Sequence, residues 1–217
     1  MSKPITTLLF DFDGTLMDTN ELIIRSYQHV LDKHYPGKYK RSDILPFLGP
    51  PLSDVFSAVD PQRVEEFIEE YRAWNKEMHD ELASEFDGVS ETMQLLKAAG
   101  LKMAIVSTKR NDMVLRGVGL LDVEGVFDVI IGIDDVTKAK PDPEPILLAL
   151  ERLGASADEA LMIGDNYHDI EGGKNAGVRT AGVAWSAKGE AFLQTFHPDY
   201  MLQHISDLLR IVKGEEI

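Results

Sequence analysis

Thr6-Thr7-Leu8-Leu9-Phe10-Asp11-Phe12-Asp13-Gly14-Thr15 passes from an apolar, β-favouring run straight into two carboxylates and a glycine. A short apolar run of this kind predicts a strand buried on both faces, as in a parallel sheet, with the acidic residues at its carboxyl end. Residues two apart project the same way where a strand ends, so Asp11 and Asp13 can face one reacting group while Gly14 lets the backbone turn sharply. Similar runs recur at residues 102–106, 127–131, 160–163 and 178–184. Between them lie stretches of helical period, such as Val89, Met93, Leu96 and Ala99 closed by Gly100, and 145–153 closed by Gly154. Alternating strands and helices predict a doubly wound, Rossmann-like α/β core around a parallel sheet.

One region breaks the alternation. From Met17 to Ser84 no convincing strand is found, whereas Leu22, Ile23, Tyr27, Val30 and Leu31 repeat at helical spacing. Val64, Phe67, Ile68, Tyr71, Trp74 and Met78 do the same, with Glu65, Glu66, Glu69 and Glu70 as a solvated opposite face. The expected organisation is a core of residues 1–16 plus 85–217 and a small all-helical cap of residues 17–84. Two cap helices joined by a loop with Pro46, Gly49, Pro50 and Pro51 would form a lid over the carboxyl ends of the strands, where open sheets place their ligands.

The chain has 217 residues, 22 Lys+Arg against 37 Asp+Glu, a net charge of −15, 44% apolar residues and no cysteine. Disulfide scaffolds and thiolate metal sites are excluded. So acidic a surface repels phosphodiester backbones and anionic lipid, so neither nucleic acid nor membrane is expected as a partner. The apolar run before Asp11 is too short for a signal segment or a membrane span, and a cytoplasmic protein is expected.

Four features stand at the carboxyl ends of predicted strands: Asp11-Phe12-Asp13-Gly14-Thr15, Ser107-Thr108-Lys109, Lys140-Pro141-Asp142-Pro143, and Gly164-Asp165-Asn166-Tyr167-His168-Asp169. Each alone reads as a turn or helix cap. Their occurrence in order, each at a strand end, is what points to one site. Two carboxylates as close as Asp11 and Asp13 need a counter-ion or a shared proton, and a divalent cation held by Asp11 and Asp165 through hard oxygen ligands, such as magnesium, meets that need. Asp11 is placed to attack phosphorus as a carboxylate nucleophile, and Asp13 to protonate the leaving oxygen and deprotonate the hydrolytic water. Ser107 offers a hydroxyl and neighbouring N–H groups to a phosphoryl oxygen, and Lys140 a fixed positive charge. Together these make a phosphoryl-transfer site. The calcium-loop pattern fails at Leu16, and no G-x-x-x-x-G-K-[ST], G-x-S-x-G or H-E-x-x-H motif is present. The histidines read as structural or solvated, with His168 set apart by its place in the last motif.

These four features resemble the motifs of the haloacid dehalogenase superfamily of phosphohydrolases, and the insert after the first of them is similar to that superfamily's small helical cap. The resemblance implies an aspartyl-phosphate mechanism with Asp11 as nucleophile, Asp13 as acid/base, Lys140 as the stabilising lysine and Ser107 as the phosphate-binding hydroxyl. It further implies magnesium bound by Asp11, the carbonyl of Asp13, and Asp165, with Asp169 in or just behind its coordination sphere. Within the superfamily the chain resembles the phosphoglycolate-phosphatase-like branch and, through Asn20-Glu21-Leu22-Ile23, Phe47-Leu48-Gly49-Pro50 and Ile133-Asp134-Asp135-Val136, its inorganic pyrophosphatases. Pyrophosphate is the expected substrate, phosphoglycolate or a related phosphomonoester the alternative. A phosphomutase or an inactive phosphate-binding relative stands further back. Thr108, Lys109, Gly49 and Pro50, with Lys40 and Arg41 nearby, are the expected contacts for the leaving phosphate. The assembly is expected to be a monomer or weak dimer.

Overall fold

The computed structural model describes residues 3–215. Its chain divides into two compact units, one made of the residues up to Met17 together with those from Glu85 onward, the other of Asp18–Ser84. The strands in chain order are β1 (Thr7–Phe10), β2 (Met17–Asp18), β3 (Ser84–Glu85), β4 (Lys102–Val106), β5 (Val129–Ile131), β6 (Ala160–Gly164), β7 (Arg179–Val183) and β8 (Tyr200–Leu202). The helices are α1 (Asn20–His34), α2 (Arg41–Ile44), α3 (Leu52–Val59), α4 (Val64–Leu82), α5 (Val89–Ala98), α6 (Asn111–Val118), α7 (Glu144–Leu153), α8 (Tyr167–Asn175), α9 (Glu190–Gln194) and α10 (Leu208–Ile211).

The larger unit holds a six-stranded sheet in the order β5-β4-β1-β6-β7-β8, and every pairing between neighbours is parallel. The expected α/β class is therefore what the chain adopts. β1 is buried along its whole length because it is central, which is why its sequence is continuously apolar rather than alternating. Leu9, Ala104, Val106, Ile131 and Met162 pack with Ile146, Ala149 and Leu150 of α7 in one core cluster. Three strands are not legible in the sequence: the two-residue pair β2 and β3, in a region that reads as all-helical, and the three-residue edge strand Tyr200–Leu202, each too short for its pattern to rise above the surrounding loop.

Strand order places the site. The chain runs outward from β1 through β4 to β5, then returns to the other side of β1 for β6, β7 and β8. Such a reversal opens a crevice beyond the carboxyl ends of the strands flanking it. Phe10 is level with Ile105 of β4 and Ile163 of β6, so Asp11 ends β1 with Ser107 and Asp165 one step further along its neighbours.

The smaller unit is helical, as its periodicity predicts, but it is not two helices and a loop. Between α1 and α4 lie α2, a 3-10 turn at Leu45–Phe47 and α3. Pro46 is the second residue of that turn and Pro51 the N-cap of α3, positions where a missing N–H costs nothing, so prolines expected in a connecting loop help to start helical turns instead. Tyr27 is the centre of this unit's core, with ring centroids 4.8 Å from Tyr71 and 5.4 Å from both Phe47 and Phe56. On α4 the fully buried line is Tyr71, Asn75 and His79, displacing the expected Trp74 and Met78 to half-buried flanks. Asn75 is accommodated because its Nδ2 donates to Ser26 Oγ at 3.0 Å, and that hydroxyl donates in turn to Leu22 O at 2.6 Å.

Candidate active site

β1 ends in a turn that its own backbone closes: Gly14 N–H donates to Met17 O, and Met17 N–H to Phe12 O. Gly14 has φ +79°, and a Cβ on it would overlap the Asp165 carboxylate, so only glycine lets that carboxylate approach the turn. Gly164 is constrained in the same way by Asp169. The glycines of the first and last motifs thus serve to draw three carboxylates together. One oxygen from each of Asp11, Asp165 and Asp169 falls within 4.8 Å of the others, and all three residues are buried.

Lys140 enters this cluster from the side. Its ammonium, 2% exposed, donates to Asp11 Oδ1 at 3.0 Å, Asp169 Oδ1 at 2.6 Å and Val106 O at 2.6 Å. It does not stand at a strand end, as its motif suggested, but well past β5, in the segment leading to α7. Glu144 at the start of α7 anchors that segment, accepting from the N–H groups of Thr137 and Lys138 and the Thr137 hydroxyl. A long side chain from a tethered loop therefore does what a strand end was expected to do.

Burial would pull the Lys140 ammonium below its ordinary value, but the charges of Asp11 and Asp169 outweigh it and hold the group cationic. The carboxylates respond the other way. Burial pushes Asp11 up to about 7, against the pull of Lys140 and with the help of Asp169 and Asp13. Asp165 is raised well above the usual carboxylate range by burial and by the charges of Asp11 and Asp169. Carboxylates raised by desolvation and mutual repulsion call for positive charge, and a hard divalent cation fits this all-oxygen set.

Asp13 sits outside the buried trio, with 19% of its side chain exposed, and accepts a hydrogen bond from Lys109 Nζ at 2.7 Å. Lys109 was expected to await a leaving phosphate; it is instead ion-paired to the candidate acid/base. Ser107 Oγ accepts from Lys109 N–H at 3.1 Å, which leaves its hydroxyl proton directed elsewhere, while Ser107 N–H is engaged by Ile131 O. Of the two groups, the hydroxyl and not the N–H of Ser107 has a proton left to offer a phosphoryl oxygen. Thr108 lies between them at the end of β4. Gly49 and Pro50 belong to the helical unit, and the residues of this constellation all belong to the larger one. Arg41 is held by Glu21 of that same helical unit.

Three residues that sequence reasoning passed over belong to the site. The loop after β7 carries Trp185, Ser186 and Lys188: Trp185 Nε1 donates to Thr15 O at 3.3 Å, Ser186 Oγ to Asp165 O at 2.7 Å, and Lys188 Nζ to Asn166 Oδ1 at 3.4 Å. The signal was available, because the same strand-end rule applied to residues 178–184 would have picked them out. His168 is buried with Nδ1 3.2 Å from the same Asn166 Oδ1, a structural contact at the start of α8. Elsewhere His34, Glu66 and Glu70 also cluster, but Lys33 already pairs with Glu70, and Arg63 with Glu66 and the His34 ring.

The model of the haloacid dehalogenase-like hydrolase family matches residues 8–183. The chain is 54% identical over 209 residues to pyrophosphatase PpaX of Bacillus velezensis, covering 96% of this chain and 97% of that one. It is 53% identical over 211 residues to pyrophosphatase PpaX of Bacillus pumilus, covering 97% and 98%. Among solved structures, a haloacid dehalogenase-like hydrolase from Bacteroides fragilis superimposes with a TM-score of 0.88 at 32% identity, covering 94% of this chain and 99% of that one.

Proposed function

This chain belongs to the haloacid dehalogenase-like hydrolase family, and we propose that it hydrolyses inorganic pyrophosphate to two phosphates through a covalent aspartyl-phosphate on Asp11. The observation that carries the chemistry is the shared ammonium of Lys140, 3.0 Å from Asp11 and 2.6 Å from Asp169. That arrangement orients a buried carboxylate and sets compensating charge beside it, which is what attack on an anionic phosphoryl group demands. Pyrophosphate as the substrate is supported by the near full-length similarity to proteins described as pyrophosphatases.

In this reading Asp11 attacks the phosphorus while Asp13, steadied by Lys109, protonates the departing oxygen; Asp13 then takes a proton from the water that releases the second phosphate. Ser107 donates to an oxygen of the transferred group, and Lys140 offsets its charge. Asp11, Asp165 and Asp169, with the carbonyl of Asp13, are the residues that would hold magnesium. When bound, that ion supplies Lewis-acid charge stabilisation. No helix among the described residues is long and apolar enough to cross a membrane.

The substrate is tested by comparing kcat/KM for pyrophosphate, phosphoglycolate and several sugar phosphates with magnesium present. Pyrophosphate is expected to lead the panel by at least about tenfold, equivalent to some 1.4 kcal/mol of transition-state preference. A monoester leading by that margin would replace pyrophosphate as substrate and leave the phosphohydrolase chemistry standing.

The metal is tested through stability. Because the folded-state value of Asp11 is raised from 3.8 to about 7, the folded chain binds more protons than the unfolded one between those values. Its contribution is therefore fully present at low pH and lost as pH rises through about 7. Asp165 acts in the same direction. Magnesium replaces those protons, so the Tm gain on adding it to chelator-treated protein should be several degrees at pH 8 and markedly smaller at pH 5.5. Equal gains at both pH values would exclude this cluster as the binding site.

A further inference from the structure

The string Ile133-Asp134-Asp135-Val136 takes no part in the chemistry above, yet it is stitched to the loop that carries Ser107 and Lys109. β5 ends at Ile131, and after Gly132 the chain makes a 3-10 turn over Ile133–Asp135. Facing that turn is the loop between β4 and α6. Ser107 N–H donates to Ile131 O at 2.9 Å, and Ile133 N–H donates to Lys109 O at 3.0 Å. At the start of α6, Asn111 N–H donates to Asp134 Oδ1 at 2.9 Å and Asn111 Nδ2 to Asp135 Oδ2 at 2.6 Å.

Asp135 is the hub of these contacts. Its Oδ2 also accepts from Gly132 N–H at 3.0 Å, and its Oδ1 accepts from the Arg152 guanidinium at 3.2 Å. Burial opposes the charge of Asp135, but the hydrogen bonds from Asn111, Gly132 and Arg152 hold its carboxyl below the usual carboxylate range. An ionised acceptor makes each of those bonds stronger than a neutral one would. Gly132 admits the approach: its φ of −101° is open to any residue, but a Cβ there would come within 2.8 Å of both Asn111 N and Asn111 Oδ1. Space, and not backbone conformation, requires this glycine.

Lys109 is the residue that this arrangement controls. Its carbonyl is fixed by Ile133 N–H, its own N–H donates to Ser107 Oγ at 3.1 Å, and its Nζ donates to Asp13 Oδ1 at 2.7 Å. A lysine stem is flexible, so the point from which it starts decides which carboxylate its ammonium meets. That point lies two residues before Asn111, the residue that Asp134 and Asp135 grip.

We propose that Asp135 is a positioning residue for catalysis: by gripping Asn111 and the Gly132 backbone it fixes the loop after β4, so that Lys109 meets Asp13 and holds that carboxyl where it serves the departing oxygen. The proposal rests on the acid/base role given to Asp13 in the pyrophosphatase reading.

The test is a mutant cycle read as kcat/KM for pyrophosphate with magnesium present, on proteins whose fold is checked by circular dichroism. Asp135→Ala should lower kcat/KM about 10- to 100-fold, the scale on which a small misplacement of a catalytic group is felt. Gly132→Ala, which drives a methyl group between the two loops, should do the same and serves if Asp135→Ala does not fold. Lys109→Met should cost at least as much as either. The double variant Lys109→Met with Asp135→Ala should stay within about threefold of Lys109→Met alone, because Asp135 acts through that lysine. Asp135→Asn keeps an oxygen for Asn111 and Gly132 and gives up only the charge offered to Arg152, so it should restore kcat/KM to within about threefold of wild type. Losses that multiply in the double variant, an Asp135→Asn protein as impaired as Asp135→Ala, or folded Asp135→Ala and Gly132→Ala proteins as active as wild type overturn the proposal. Asp13→Asn is measured alongside and should lose about 100-fold or more. Wild-type activity in that variant overturns the acid/base reading instead.

Discussion

Replacing Asp11 with asparagine is expected to lower phosphate release by about 10⁴-fold or more, the scale on which enzymes lose turnover when a nucleophile is removed. The amide has the same shape and its oxygen can still accept from Lys140 Nζ, now 3.0 Å from Asp11 Oδ1, so the fold should persist by circular dichroism. What disappears is the negative charge that makes a carboxylate oxygen nucleophilic toward phosphorus. After an acid quench, wild type should retain label from [³²P]pyrophosphate and the variant none. The substitution also removes a buried negative charge from a cluster that raises Asp11 to about 7, so metal-free variant at pH 8 should unfold at no lower temperature than metal-free wild type. Turnover at the wild-type rate would put the nucleophile elsewhere.

The largest stability effect is expected from Lys140→Met. This ammonium is the common partner of Asp11 and Asp169, both buried, and its removal strands two carboxylates where water does not reach. Breaking one side of a buried ion pair costs about 3–5 kcal/mol, to be read as a fall in the urea midpoint of chelator-treated protein at pH 8. At pH 5.5 the loss should shrink, because a carboxyl raised to about 7 binds a proton there and needs no cation. In the Asp11→Asn background the same change should cost less, since one of the two stranded charges is already gone. Turnover should fall together with stability. A Lys140→Met protein as stable as wild type at both pH values would mean that the three-way contact does not form.

The two expectations differ in how far they could be read from the chain. Asp11 needed only its neighbours: an apolar run, a carboxylate at its end and a glycine three residues on, in the turn. Lys140 reads as a strand-end residue in the sequence, whereas a loop pinned by Glu144 delivers its ammonium to Asp11 and Asp169. Lys109 was placed in the site, but its partner, Asp13, could not be known because 96 residues separate them. Arg41 was offered to the substrate, and Glu21 takes it. On α4 the apolar pattern favoured Trp74 and Met78 for burial, while Asn75 is inside because Ser26 on another helix satisfies its amide. Each of these misreadings concerns a polar group whose partner lies far away in the chain.

From its residues alone this protein's α/β class, its helical insert, the four motifs and the family resemblance could be read, because strand ends, helical period and turn glycines are imposed by interactions spanning only a few residues. Tertiary structure alone decided which cation meets which carboxylate, which glycines must stay bare to admit Asp165 and Asp169, and that the loop carrying Lys188 joins the site. Those outcomes depend on distances set by strand order and register, and a buried charge takes its energy from whatever the fold brings within a few ångströms.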